Sequence, residues 1–299
     1  MKINLTLTIL ARMLPVALSI LLLAAPAQSE AASPPHVFTV TAATPGDVTI
    51  NSPLCNANPT AVILVTQNLS PNQVINNHPI GVFYDTLTKK WLIYNEDFTT
   101  IPAGATFNVK VEKTATAKNF RLITSGDNSS EDFTEIPSNG LNGKTNALFL
   151  VNHLFNPNKA RLDLGVYQTN NLGIWYDGSH WAVYTENQST PLATSYNISN
   201  ITGQTNASLL LTSVTNTSNL FTNDVVIDNP ICNGNSNAII FVAHNYLTTN
   251  VSSVSGYDTL HDHPLGVFYL SGSWAIFNLD GAKMNTNVAF DIQVYPGTN

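Results

Sequence analysis

The residues with the most chemical potential are histidines. His261-Asp262-His263 sets two imidazoles around a carboxylate, and His244 lies upstream. Two imidazoles and a carboxylate can hold a metal ion with open coordination positions, so His244, His261 and His263 are the metal-ligand candidates. The same segment, with Asp258, is the one cluster on which a hydrolytic site could be built. Glu96 and Asp97 are adjacent carboxylates at a strand end. Neighbours in a strand face opposite ways, so the pair suits a turn or cap better than a catalytic dyad. Cys55 and Cys232 are the only two cysteines and form a disulfide candidate for an oxidising compartment. Rings beside amides and carboxylates suit sugar stacking, which makes Trp175, Tyr94 and Tyr184 ligand-binding candidates, with His78 and His263. The chain has no G-x-S-x-G, no H-E-x-x-H and no phosphate loop. No catalytic residue and no cofactor is assigned.

The elements that must position these residues come in three copies. His78-Pro-Ile-Gly-Val-Phe-Tyr84 is followed by Trp91-Leu-Ile-Tyr-Asn95, and His263-Pro-Leu-Gly-Val-Phe-Tyr269 by Trp274-Ala-Ile-Phe-Asn278. The middle copy diverges: Asn170-Asn-Leu-Gly-Ile-Trp-Tyr176, then Trp181-Ala-Val-Tyr-Thr185. The shared glycines Gly81, Gly173 and Gly266 are spaced 92 and 93 residues apart. A repeat of this kind fixes the architecture before any other signal. It also bears on the metal. His244 corresponds to His153 and Gln67, and His263 to Asn170 and His78. Gln, Asn and His share hydrogen-bonding capacity but not metal affinity, so structural polar pairs are expected and a bound metal is not. Cys55 and Cys232 are equivalent, with Leu141 between them in the alignment, which marks a partly buried position.

Each copy is expected to hold about six short strands, in the first at 38–41, 48–51, 61–67, 80–85, 90–96 and 106–112. These runs are β-branched or aromatic and bounded by Gly, Pro, Asn or Asp. Trp91, Trp181 and Trp274 alternate with β-branched residues and are expected to anchor cores. The residues between them are apolar too, so both strand faces are covered, as in a sandwich or closed barrel. The three glycines mark bulges or close backbone approach. The fold expected is all-β, with three tandem sandwich or barrel-like modules of about 85 residues at 37–113, 119–203 (divergent) and 208–298.

Charged residues are 10% of the 299, and net charge is −7 with 12 Lys and Arg. Long surface helices need more charge than this, and no basic patch for nucleic acid can be assembled. Residues 1–32 have the pattern of a secretory signal peptide: Lys2 and Arg12, an apolar run from Leu14 to Ala25, then Ala27-Gln-Ser29. The run is shorter than the ~20 residues of a membrane span. The protein is expected to be secreted, extracellular or periplasmic, with no membrane span after cleavage.

At the His-Pro and Trp segments the chain resembles an uncharacterised family of secreted bacterial repeat modules, a domain of unknown function. Its pattern is roughly N-H-P-[IV]-G-V-[WF]-Y, then W-x-I-[FY]-N, then F-N-V. His78 to Tyr84, Trp91 to Asp97, Pro102 to Val109, His263 to Tyr269 and Trp274 to Asp280 match it. The resemblance implies a secreted, tandemly repeated all-β protein and no particular activity. The expected function is non-catalytic: surface binding or a structural role, with an extracellular glycan or surface protein as partner. The alternative is an extracellular hydrolase with its site in the third module around His261-Asp262-His263.

Overall fold

The structure is a computed structural model that describes residues 36–70, 72–137, 141–156, 165–212, 222–246 and 259–297. The signal-like segment 1–32 and Asp258 lie outside these residues. The first module contributes β1 (Val37–Thr41), β2 (Val48–Ile50), β3 (Val62–Asn68), β4 (Ile80–Asp85), β5 (Lys90–Asn95) and β6 (Thr106–Glu112). These lie within a residue of the strands expected from sequence. The second contributes β7 (Asn119–Ile123), β8 (Ser129–Ser130), β9 (Phe133–Glu135), β10 (Phe149–Leu154), β11 (Leu172–Tyr176), β12 (Trp181–Thr185) and β13 (Ser195–Asn200). The third contributes β14 (Ala207–Leu211), β15 (Asp224–Ile227), β16 (Ile239–Tyr246), β17 (Leu265–Leu270), β18 (Ser273–Asn278) and β19 (Ala289–Tyr295). Among the described residues there is no helix.

Each module is a sandwich of two half-sheets around a core tryptophan, and the core of the second runs on into Leu64 of the first module and Phe241, Ala243 and Ala289 of the third. In the first, β1-β6-β3 faces β2-β5-β4 across Ile50, Ile63, Trp91, Ile93 and Phe107. The cores of the second and third modules are centred on Trp181 with Phe149, and on Trp274 with Phe290. All three tryptophans are fully buried. Each indole N–H donates to a loop carbonyl at an equivalent place: Asn58 at 2.9 Å, Lys144 at 2.7 Å and Asn235 at 2.8 Å. A buried indole needs such a partner, and the repeat supplies it three times.

The modules do not stand apart as separate beads. Every sheet is shared by two of them. β3 runs parallel to β17, β10 to β4, and β16 to β11, which joins the half-sheets into orders β1-β6-β3-β17-β18-β15, β2-β5-β4-β10-β13-β7 and β14-β19-β16-β11-β12-β9-β8. Each module thus offers a central strand to one neighbour and a hairpin to the other. Three such head-to-tail contacts close a ring with pseudo-threefold symmetry. Closure leaves none of the β3, β4, β10, β11, β16 or β17 edges unpaired, and so removes an aggregation hazard.

The two cysteines are a correction. Both are free and buried, Cys55 in the core of the first module and Cys232 in that of the third. Equivalent positions in a ring of sandwiches lie in different cores, so no cross-link forms. Each thiol lies near a local carbonyl, Ser52 or Asn229, and burial pushes both pKa values up, Cys55 to about 11.

Candidate functional site: the junctions between modules

The functional candidates collect where a central strand meets the next module's hairpin. The parallel registers place His153 beside Gly81, His244 beside Gly173 and Gln67 beside Gly266. The residue opposite each glycine on its hairpin is Tyr94, Tyr184 or Phe277. The ring lies flat over the glycine. A Cβ on Gly81 would overlap the Glu96 carboxylate first and come within 2.7 Å of the Tyr94 Oη. One on Gly173 would meet the Tyr184 ring, and one on Gly266 would meet Phe277 and Leu279 at 2.9 Å. Close approach is therefore the reason for all three glycines. Gly81→Ala should cost about 2 kcal/mol through overpacking against a pinned ring. Gly266→Ala should cost less, because Leu279 can yield. Thermal melts of the two variants check the order.

At two junctions the ring is part of a buried polar cluster. The Tyr94 hydroxyl donates to Glu96 at 2.7 Å, and His153 Nδ1 contacts the same Glu96 oxygen. The other Glu96 oxygen accepts the Gln168 N–H at 3.0 Å. Tyr184 donates to Glu186 at 2.7 Å, and His244 Nδ1 meets that oxygen at 2.7 Å. Burial and the adjacent carboxylate push both tyrosine pKa values well up. The third junction carries Gln67, Phe277 and Leu279 and is apolar apart from Gln67, which donates to the Val74 carbonyl.

Two of the ligand-binding candidates are thereby corrected. Tyr94 and Tyr184 are buried, because the outer face of each hairpin is covered by the neighbouring module. Trp175 is half-buried against Phe133, ring centroids 5.0 Å apart. His78 and His263 stand partly exposed at the mouth of a cavity of about 100 Å3 lined by all three modules. His78 pairs with Asp97 at 2.6 Å and His263 with Asp280 at 2.7 Å. Asp97 also caps its turn through Thr99, as expected of a turn residue. Glu96, its neighbour, is the carboxylate whose role the sequence did not suggest.

His261-Asp262-His263 does not act as a unit. His261 Nε2 meets Asn278 Oδ1 at 2.8 Å, and the Asn278 amide donates to the carbonyls of Ala282 and Lys283, which fixes the oxygen toward the imidazole. Burial, then the nearby His244, lowers the His261 pKa to about 3, so it is neutral. Asp262 accepts from the Asn171 and Asn187 amides, both 2.9 Å away. His244, His261 and His263 do not bring three ligand atoms within metal-binding reach. Among the described residues, the one group with three such atoms within 4.8 Å is Glu135, Asp177 and His180. It is a surface cluster around a hairpin whose Asp177 already accepts from the Ser179 and His180 backbone.

The ring axis carries a second set of equivalent residues. Lys110, Ser199 and Gln293 meet there. The buried Lys110 ammonium donates to Ser199 Oγ at 2.9 Å and to Gln293 Oε1 at 3.2 Å, so one side chain ties all three modules. Nearby, Asn108 donates to the Ile240 carbonyl and Asn197 to the Ile63 carbonyl, both at 2.9 Å. The third equivalent is Asp291, which accepts from the Phe149 N–H at 2.7 Å and from Asn245 at 2.8 Å. Complete burial raises its pKa to about 7.

Three interlocked sandwich modules built on a His-Pro-x-Gly hairpin and a core tryptophan define a single repeat class. The family described as Domain of unknown function (DUF7452) matches at residues 21–111, 81–199 and 188–294, and the chain belongs to that family. No curated protein and no solved structure matches it.

Proposed function

We propose that the chain is an exported, non-catalytic binding protein whose ligand is carried on a cell surface. One observation carries this reading. At the outer side of each junction the chain exposes a large apolar residue at the same repeat position: Ile75 at 50%, Tyr167 at 39% and Leu260 at 48%. Each is followed by a buried polar residue, Asn76, Gln168 or His261, that serves the fold. The apolar residue lies outside the buried core clusters, although Tyr167 packs on Phe98 and Phe155, and its exposure at the same place in all three copies is what a repeated contact surface would use. Three such sites on one chain favour a repetitive surface through avidity. The buried His–Glu–Tyr clusters support the same reading, since their carboxylates are sealed from solvent and hold the Tyr and His of the junction. The hydrolase alternative has no observation in its favour, because His261, Asp262 and His263 each serve a different partner.

The test is retention of residues 33–299, which include every described residue, on polysaccharides and cell-wall preparations. Selective retention is expected, and the triple variant Ile75→Ala, Tyr167→Ala, Leu260→Ala should lose it while remaining folded, with a melting temperature lowered by the lost packing of Tyr167 on Phe98 and Phe155. Retention that survives the triple variant would overturn this placement of the binding face.

A further inference from the structure

At the junction of the first two modules the exposed position becomes part of an aromatic recess of about 250 Å3. Five rings form it. Phe98 packs on Tyr167 with centroids 4.1 Å apart, Tyr167 on Phe155 at 4.7 Å, and Tyr94 on Phe83 at 5.5 Å and on Phe155 at 5.8 Å. Phe98 is the most exposed large apolar residue among the described ones, at 72%, and its backbone is left-handed at φ 64°. Gly281, at the same repeat position, is left-handed too, at φ 75°, so the turn sets the backbone; the exposed phenyl ring itself serves no core.

The polar complement of the recess is acidic. Asp47 lines its rim, is exposed, and makes no hydrogen bond with the rest of the chain; partial desolvation pushes its pKa up. The Glu96 charge acts on both Tyr94 and Tyr167 from behind. Among the described lining residues there is no Lys, Arg or His. Most donors that a sugar would need are already engaged. The Tyr94 hydroxyl serves Glu96, the Asn95 amide serves Asn76 and Thr99, and the Thr99 hydroxyl serves Asp97. Five aromatic rings, a carboxylate and few free donors describe a site for a cation with an apolar surface.

We propose that this recess binds an alkylammonium group, a quaternary ammonium above all, in a cation–π cage closed by Asp47. The site deepens the surface-binding reading and rests on it for its biological setting. The other two junctions do not reproduce it. Phe133 stands at the position of Asp47 in the second, and Gly281 at that of Phe98 in the third.

The test is titration of residues 33–299 with choline and with its neutral carbon isostere, in which a tert-butyl group replaces trimethylammonium. Saturable choline binding is expected, with the isostere about ten-fold weaker, the ratio a desolvated cation–π contact supplies. Phe98→Ala and Asp47→Asn should each weaken choline about ten-fold with the melting temperature unchanged; both positions are at the surface. Equal binding of choline and isostere, no binding of either, or indifference to both substitutions would overturn the proposal. Vesicles of phosphatidylcholine and of phosphatidylglycerol, beside free phosphocholine, separate the sources. Retention on the first vesicle alone assigns a lipid headgroup, and binding of free phosphocholine without vesicle retention assigns a soluble or glycan-borne group. Choline binding without retention on any cell surface would defeat the surface-binding reading and leave this site standing. Surface retention without choline binding would do the reverse.

Discussion

Asp291→Asn should stabilise the protein at pH 8 by about 4 kcal/mol and leave it nearly unchanged at pH 4. The carboxyl titrates near 7 in the folded chain against 3.8 when solvated, because complete burial disfavours the charged form by more than the Asn245 and Phe149 N–H donors stabilise it. A gap of roughly three units is worth about 4 kcal/mol. The sign follows from proton binding. Between pH 4 and pH 7 the folded state holds the proton and the unfolded state releases it, so stability is full below pH 4 and is lost as pH rises through 7. An Asn at this place removes the ionisable group and keeps both contacts. Its oxygen can accept the Phe149 N–H. Its amide can donate to Asn245, whose own oxygen is buried without a partner and can turn to accept. The first and second modules already use Asn here, as Asn108 and Asn197. Melting curves of both chains at pH 4, 6 and 8 check the prediction, with a difference growing to about 10 °C. A difference that does not change with pH would show that Asp291 is not the titrating group.

The contrast among those three equivalent residues also shows what the sequence could and could not reveal. Strand positions, core tryptophans and the repeat were legible, because period-two alternation and turn residues are local signals. The glycines were legible as close approaches. The partner of each half-sheet was not, since nothing local distinguishes a free sandwich from one whose sheets continue into a neighbour. Alternation within the hairpin shows that both faces are covered, but not that the cover over Tyr94 and Tyr184 comes from another module. A trace of the ring does exist in the sequence. Tyr-x-Glu occurs at 94–96 and 184–186, and Phe-x-Leu at 277–279. The strand residues are Gln67, His153 and His244. Matched copy by copy, the two sets do not correlate. Shifted by one module, each Tyr-x-Glu meets a His and the Phe-x-Leu meets the Gln. That shift is the head-to-tail closure, and it also identifies Glu96 and Glu186, which single-copy reasoning passed over. The pairing of Cys55 with Cys232 failed for the same reason: equivalence in a repeat places residues in different cores.

Closure should depend most on Lys110, the residue shared by all three modules. Lys110→Ala is expected to cost about 3 kcal/mol, the scale of emptying a buried side chain's volume. Its stem fills the axis between β6, β13 and β19, and its ammonium bonds Ser199 and Gln293. Burial lowers its pKa, so the charge itself is held at a cost, with Glu112 at 3.8 Å offsetting part of it. Lys110→Met separates the two contributions. It keeps the stem, removes the desolvated charge and leaves Gln293 Oε1 without this donor, while Ser199 still donates to Asn119. Replacing a buried charge by an apolar group of similar volume is often neutral, so the Met variant should melt close to wild type and well above the Ala variant. Equal loss in both would mean that the ammonium, and not the volume, holds the axis. Because its ammonium bonds Ser199 of the second module and Gln293 of the third, its effect reports on the ring. The Ala variant should therefore unfold in one transition at lower temperature, since three sandwiches that share every sheet cannot come apart one at a time.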